Sequence, residues 1–211
     1  MKPQNPDARA VRGDGDQAPG QPSLPGFDSA PQATDGLFFA VFPDAGVAAN
    51  TARLASHLSG EHGLTGRPHP PGRLHVSLLH LGDYAGLPSS VVDTARAAAA
   101  TVAMSPFEVA FDCAMSFAGA QRNRPLVLCG GDGIGALMVF QQALAAAMAK
   151  AGLGGRVKSS YVPHMTLLYD RRGVSGQPVE TIRWSVSEFV LVHSLLGRTQ
   201  YLPLGRWPLS R

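Results

Sequence analysis

The stretch Leu-His-Val-Ser-Leu-Leu at residues 74–79 recurs as Pro-His-Met-Thr-Leu-Leu at residues 163–168. Each copy contains a histidine, an apolar residue, a hydroxyl residue and two leucines in the same order. Side chains of a β-strand alternate between its two faces, so a histidine and the hydroxyl two positions later lie side by side. Two such strands facing each other bring two imidazoles and two hydroxyls into one site.

This set of groups suits the cleavage of a phosphate ester without a metal. An imidazole has an ordinary pKa of about 6.5, so one of His75 and His164 can be neutral while the other is protonated. The pair can then act as general base and general acid, while Ser77 and Thr166 donate hydrogen bonds to phosphate oxygens. One such motif is typical of a core histidine, but two copies on two predicted strands favour a catalytic pair.

Strict alternation also predicts which neighbours turn away from the site. It places His80 on the face opposite His75, and Tyr169 on the face opposite His164. We therefore expect His80 to have a structural or surface role.

The remaining histidines are weaker candidates. His57 lies on a predicted helix, and His62 and His69 lie in loops, so we expect all three to be exposed. His193 lies on a late predicted strand and is a candidate for the border of the site.

Composition indicates a globular protein with a sizeable core. The chain has 211 residues, of which 45% are hydrophobic, and a net charge of +3 that agrees with a polyanionic ligand without requiring one.

Cys113 and Cys129 lie in apolar runs, which predicts buried thiols in a reducing compartment. No signal peptide is recognisable, and we expect every apolar stretch to be far shorter than the roughly 20 residues of a membrane span. The expected location is the cytoplasm.

The order of predicted elements indicates an α+β fold in two lobes. Residues 1–35 are rich in Pro, Gly, Asp and Gln, which predicts a disordered tail, and residues 36–211 form the folded domain. Within the domain the order is β-α-β-α-β and then β-α-β-β-β, with one motif strand in each half. This order suggests an internal duplication.

A glycine pattern before the predicted helix at residues 135–151 needs a separate interpretation. Gly131, Gly133 and Ala136 have the spacing of a dinucleotide-binding fingerprint. That fingerprint requires a parallel βαβ unit and an acidic residue about 20 positions later, where this chain has basic residues. We interpret these glycines as a loop and helix start, and predict no cofactor.

At both motifs the chain resembles the 2H phosphoesterase superfamily, and within it the RNA 2′,3′-cyclic phosphodiesterases of the LigT or 2′-5′ RNA ligase family. Four stretches carry the resemblance, at residues 37–43, 75–82, 163–168 and 197–209. The resemblance implies two pseudo-symmetric α+β lobes with largely antiparallel sheets around a central cleft. It also implies hydrolysis of RNA 2′,3′-cyclic phosphate ends to 2′-phosphomonoesters, with His75 as acid, His164 as base and neither cofactor nor metal.

Two positions depart from the family pattern. Ser77 replaces the usual threonine and keeps the hydroxyl, whereas Tyr169 stands where the family often has an arginine. Arg171 and Arg172 are candidates to take over the phosphate contact of that arginine. Aromatic and arginine side chains are the usual means of holding single-stranded RNA. The candidates for such substrate contacts are Arg73, Arg122, Arg124, Tyr161, Tyr169 and Arg171.

Several alternatives share these motifs. The substrate could instead be a small cyclic nucleotide, ADP-ribose cyclic phosphate or a 2′-5′ oligoadenylate, and the reverse reaction would join RNA ends as a 2′-5′ ligase. A non-catalytic RNA-binding module would keep the cleft without turnover. A metallophosphoesterase would need clustered Asp and His ligands, which the sequence does not show. We expect a monomer that does not bind membranes.

Overall fold

The computed structural model describes residues 32–118, 123–156 and 161–210. Within these ranges one eight-stranded sheet has only antiparallel strand pairs. Its strands are β1 (Asp35–Val41), β2 (Val76–Tyr84), β3 (Phe107–Ser116), β4 (Arg124–Cys129), β5 (His164–Asp170), β6 (Gln177–Val186), β7 (Glu188–Leu195) and β8 (Gln200–Pro208). The helices that pack on it are α1 (Ala45–Glu61), α2 (Ser89–Ala99) and α3 (Gly135–Met148). The predicted α+β class is confirmed.

The sheet consists of two four-stranded halves that meet at the motif strands. Its strand order is β6-β3-β4-β5-β2-β1-β7-β8, and β2 meets β5 through the register pair Val76 and Met165. We call β2-β1-β7-β8 the first lobe and β6-β3-β4-β5 the second lobe. The two expected lobes are present, but they do not correspond to the two halves of the sequence. Strand β3 joins the second lobe, and the last two strands return to the first.

The helices cover one face of the sheet. Leu37, Phe39 and Val41 of β1 are fully buried in the main core together with the apolar sides of the helices. Even-numbered residues, such as Phe38, belong to a smaller apolar cluster on the other face with Val190 and Val192 of β7. The second face is therefore the one on which the motif side chains can meet a ligand.

Helix α1 begins directly after a capping residue, Asp44. The side chain of Asp44 accepts a hydrogen bond from the backbone N–H of Val47 at 2.9 Å. Such a cap satisfies an amide that has no partner within the helix.

Helix α3 is part of a helical run that is longer than the predicted helix at residues 135–151. A continuous helical run from Asp132 to Leu153 has 22 residues and is long and apolar enough to cross a membrane by length and composition. The expectation that no stretch approaches that length is therefore wrong. The run has a buried stripe that packs in the core, as a core helix requires: Leu137, Phe140, Leu144 and Met148.

Two of the glycines before α3, Gly130 and Gly133, serve packing against Ala110 of β3. A Cβ atom on Gly130 would lie 2.4 Å from the carbonyl oxygen of Ala110, so only glycine lets this loop rest directly on β3. The preceding strand β4 is antiparallel to both of its neighbours, whereas a dinucleotide fingerprint belongs to a parallel unit.

The segment predicted as a tail lies mostly outside the described residues, because residues 1–31 are not described. Strand β1 already begins at Asp35, which pairs with Tyr84 of β2 and Leu195 of β7. The first strand therefore starts one residue inside the segment predicted as a tail.

Candidate active site

The two motif histidines and both hydroxyl residues line one cleft of about 300 Å³. We call it the motif cleft. Its lining consists of Gly36, Phe38, His69, Arg73, His75, Ser77, His80, Asp83, His164, Thr166, Tyr169, Ser194, Leu196 and Tyr201. Because His75 directly precedes β2 and His164 opens β5, the pairing of these strands brings both motifs to the centre of the sheet. The four predicted residues thus lie together, and their catalytic roles stay predictions.

Both imidazoles are held by the backbone in the same way. The Nδ1–H of His75 donates to the carbonyl oxygen of Arg73 at 2.7 Å, and that of His164 donates to the carbonyl oxygen of Val162 at 2.8 Å. Each acceptor lies two residues before its histidine. With Nδ1 protonated, Nε2 carries the lone pair of the neutral ring. The Nε2 of His75 lies 3.1 Å from the hydroxyl oxygen of Ser77.

Three aromatic rings surround His75. The ring centroids of Phe38, Phe42 and Tyr201 lie 5.2, 5.6 and 5.4 Å from the centroid of the imidazole. The ring of His164 contacts Phe117 at a centroid distance of 5.0 Å.

The surroundings of His75 disfavour its charged form. Burial is the main cause that lowers the pKa of His75 to about 4, and positive charge on His69, Arg73 and His164 lowers it further. The hydrogen bond to the Arg73 carbonyl acts in the opposite direction. In the free protein His75 is therefore neutral at neutral pH.

His80 and Tyr169 also line the cleft, so the prediction that both turn away is wrong. In β2 both residues of Leu78–Leu79 are buried, and in β5 both residues of Leu167–Leu168 are buried. At these points the neighbouring strands β1 and β4 pair in registers that skip one residue. Such a bulge returns the next side chain to the face it would otherwise leave. The fifth residue after each motif histidine therefore faces the cleft.

Arg73 and His69 lie at one edge of the cleft. The guanidinium of Arg73 lies over the ring of Tyr201 at 4.7 Å and donates to its hydroxyl at 3.0 Å. His69 was expected to be exposed, but its ring packs edge-on against Tyr169 at 5.9 Å. Its backbone N–H donates to the carbonyl of Leu167 at 2.7 Å, which fixes the loop to β5. Burial, followed by the charge of Arg73, lowers the pKa of His69.

Among the described residues, the arginine candidates Arg124, Arg171 and Arg172 do not line the motif cleft. Arg171 and Arg124 are exposed at the ends of β5 and β4, and Arg122 lies outside the described residues. Arg172 donates through its guanidinium to the carbonyl of Gly63 at 3.1 Å. Tyr169 therefore stands in the cleft where the family often has an arginine, and neither Arg171 nor Arg172 supplies a positive charge there.

Tyr161 and His193 are placed away from the cleft lining. The hydroxyl of Tyr161 is buried without a hydrogen-bond partner among the described residues, and burial raises the pKa of Tyr161. His193 is buried, and its Nε2 lies 2.5 Å from Oδ1 of Asp35. Hydrogen bonds from Thr34 and His193 lower the pKa of Asp35. His193 thus anchors β1 to β7.

The two cysteines lie beside the site and are less buried than predicted. Cys129 is in register with Cys113 on one side and with His164 on the other, and cross-strand partners share a face of the sheet. Both thiols are free and only half-buried, not fully buried as expected. Burial raises the pKa of Cys129 to about 11. Among the described residues no three His, Cys, Asp or Glu side chains could together hold a metal ion.

Comparison with known proteins supports the resemblance stated above. The family model of the 2′-5′ RNA ligase superfamily matches residues 63–198. The crystal structure of a phosphoesterase is 25% identical, covers 84% of this chain and 99% of its own, and has a TM-score of 0.67. The structure of E. coli LigT complexed with 3′-AMP is 26% identical, covers 84% of this chain and 99% of its own, and has a TM-score of 0.65. A protein of Thermus thermophilus, TT0787, is 23% identical and covers 82% of this chain and 97% of its own. Its TM-score of 0.65 supports the fold alone. The search of curated proteins found no significant match.

Proposed function

The chain belongs to the 2′-5′ RNA ligase superfamily, and on this basis we propose that it hydrolyses RNA 2′,3′-cyclic phosphate ends to 2′-phosphomonoesters without a metal. The observation that carries this proposal is the twin arrangement of His75 with Ser77 and His164 with Thr166 in one cleft. Both imidazoles are fixed through Nδ1, so that Nε2 of each is the atom that exchanges protons.

In the proposed reaction one imidazole accepts a proton from water as the water oxygen bonds to phosphorus. The bond between phosphorus and O3′ breaks, and the other imidazole donates its proton to O3′. The phosphate stays on O2′, and one water is consumed. Ser77 and Thr166 donate to the non-bridging oxygens, where negative charge increases in the transition state. A bound phosphate takes the Ser77 hydroxyl away from Nε2 of His75.

The roles of the two imidazoles can be assigned in two ways. His75 is neutral in the free protein, and an imidazole must be neutral to accept a proton as a general base. For His75 to act as the acid, as the resemblance implies, the negative phosphate must raise its pKa on binding. If a 5′-hydroxyl replaces water as the nucleophile, its oxygen bonds to phosphorus as the bond to O3′ breaks, and two RNA ends are joined without ATP.

Two further observations bear on the substrate and its setting. A cleft of about 300 Å³ is of the size that holds one small ligand, which favours a single terminal nucleotide as the unit bound there. The complex of E. coli LigT with 3′-AMP shows a nucleotide bound by a protein of this fold. The free thiols Cys113 and Cys129 support a cytoplasmic setting. We propose a monomer acting on RNA ends or on small 2′,3′-cyclic nucleotides.

The decisive experiment is hydrolysis of an oligoribonucleotide with a 2′,3′-cyclic phosphate end in the presence of EDTA. We expect a 2′-phosphate product from the wild type and a loss of activity in His75→Ala and His164→Ala. The matched control is His57→Ala, because His57 is exposed on α1 and lies away from the motif cleft. Turnover that survives either motif variant, or that EDTA abolishes, would contradict the proposal.

A further inference from the structure

Asp83 is unexpected in a cleft that binds phosphate. It is the one carboxylate among the described residues that line the motif cleft, and a negative charge opposes the binding of an anion. Its Oδ1 lies 3.4 Å from Nε2 of His80, and about half of each side chain is exposed. Exposed ion pairs of this kind contribute little to stability. Neither the hydrolysis nor the fold accounts for this carboxylate, so it is available to a ligand.

The distance from Asp83 to the phosphate site matches one nucleotide. In the register of β1 and β2, Gly36 is paired with Asp83 and Ala40 with Ser77. Four strand positions separate the two pairs, which corresponds to about 13 Å and is comparable to the length of a nucleoside monophosphate. A nucleotide whose phosphate is bound at Ser77 therefore places its base at the Asp83 end of the cleft.

Gly36 lies in close contact with the side chains at this end of the cleft. A Cβ atom at Gly36 would lie 3.0 Å from Oδ1 of Asp83, 3.3 Å from Cδ2 of Leu196 and 3.5 Å from Cβ of Ser194. These three side chains therefore lie side by side over the backbone of β1, and all three line the motif cleft. Leu196 is a partly exposed apolar residue that can cover the face of a planar base. Asp83 and Ser194 present polar groups to its edge.

The chemistry of a carboxylate selects one base. Guanine presents two adjacent donors, N1–H and the N2 amino group, which a carboxylate can accept in parallel. Adenine and cytosine each present an amino group beside a ring nitrogen that is itself an acceptor, and uracil presents one N–H between two carbonyl oxygens. We propose that Asp83, oriented by His80, recognises the guanine of the terminal nucleotide. This inference rests on the proposed function, because it names the preferred substrate of the same cleft.

The test compares kcat/KM for the four nucleoside 2′,3′-cyclic phosphates. We expect guanosine to exceed adenosine about tenfold or more, the range of a good bidentate base contact. Inosine keeps N1–H but lacks the amino group, so its value should lie between the two. Asp83→Asn should bring the ratio of guanosine to adenosine close to one. The control Asp93→Asn, on an exposed position of α2, should leave the ratio unchanged.

Equilibrium binding separates this inference from the proposed function. Calorimetry with 2′-GMP and 2′-AMP needs no turnover, and we expect 2′-GMP to bind more tightly to the wild type but not to Asp83→Asn. Turnover of all four substrates at similar rates would overturn the inference and leave the proposed function intact. A preference for 2′-GMP without any turnover would overturn the proposed function and support the inference. Absence of both would overturn both.

Discussion

The two motifs have the same backbone geometry and different surroundings. In each, Nδ1 donates to a carbonyl two residues earlier, and a bulge after the hydroxyl residue turns the fifth side chain into the cleft. The ring of His75 lies among three aromatic rings, whereas the aromatic contact of His164 is with Phe117. The repeated sequence therefore sets where the two imidazoles lie, and residues outside the repeat set the surroundings that lower the pKa of His75.

The largest expected effect comes from removing the imidazoles. We expect His75→Ala and His164→Ala each to lower the rate of the chemical step by roughly 10²–10⁴-fold, as for a positioned acid or base. Because each proton transfer is useful only when the other occurs, the double variant should be no slower than the slower single variant. Single-turnover rates measure this directly. Losses that multiply would show that the two motifs act independently.

A substrate with sulfur in place of O3′ assigns the two roles. Sulfur leaves without a proton, so such a substrate removes the need for a general acid. If phosphate binding protonates His75, His75 is the general acid. The His75→Ala variant should then cleave the sulfur substrate at a rate close to that of the wild type, whereas His164→Ala should remain slow. The measurement is the rate ratio of the sulfur and oxygen substrates in each variant. Recovery in His164→Ala instead would make His75 the base, in agreement with its neutral state in the free protein.

The hydroxyls should contribute less than the imidazoles. We expect Ser77→Ala and Thr166→Val each to lower kcat by about 10²-fold, the lower end for a donor to a developing oxyanion. Ser77→Thr, which restores the residue usual in the family, should keep the activity and serves as the control. Unequal losses would show that the phosphate lies closer to one motif than to the other.

Much of this site could be predicted from the sequence because its pattern is local. The spacing of histidine and hydroxyl identified His75, Ser77, His164 and Thr166, and the structure places them in one cleft. The interleaving of the lobes could not be predicted, since it depends on which distant strands pair. The same is true of Tyr201, which reaches His75 only because β7 pairs with both β1 and β8.

The errors at His80 and Tyr169 have one physical cause. Strict alternation ends at Leu78–Leu79 and at Leu167–Leu168, where an extra residue in each strand shifts the phase. Two consecutive leucines after a strictly alternating segment were the available signal, because two neighbouring residues can both be buried on one side only at a bulge. His69 gave no such signal, since its loop is held by the distant strand β5.

The sixth position after each motif histidine breaks the repeat, with Leu81 in the first copy and Asp170 in the second, both buried. Asp170 accepts hydrogen bonds from the backbone N–H groups of Thr65 and Gly66, both at 2.6 Å, and of Arg172 at 2.8 Å. These bonds, the one from Arg172 first, lower the pKa of Asp170 to about 2. The carboxylate thus ties the loop before the first motif to the end of the second motif strand.

We expect Asp170→Asn to lower the free energy of unfolding by roughly 1–3 kcal/mol, the cost of leaving a buried amide without its acceptor. Urea unfolding at pH 7 measures this, with the exposed Asp93→Asn as control. The folded-state pKa lies below the unfolded value of about 3.9, so the advantage of the wild type is present above that pH. It should disappear as the pH falls towards 2. A difference between wild type and variant that is independent of pH would contradict a role for the charge.

The smallest effect tests whether an aromatic neighbour lowers the pKa of His75. Phe42 is partly exposed, so Phe42→Ala admits water to the ring of His75 and should raise its pKa from about 4 towards 6.5. The NMR titration of the imidazole Cε1–H measures this, and Phe117→Ala, beside His164, is the matched control. Since the folded-state pKa of His75 lies below the unfolded value, its burial contributes fully to stability above pH 6.5 and less as the pH falls towards 4. Phe42→Ala should make that decline shallower. An unchanged titration would show that Phe42 does not contribute to the lowered pKa of His75.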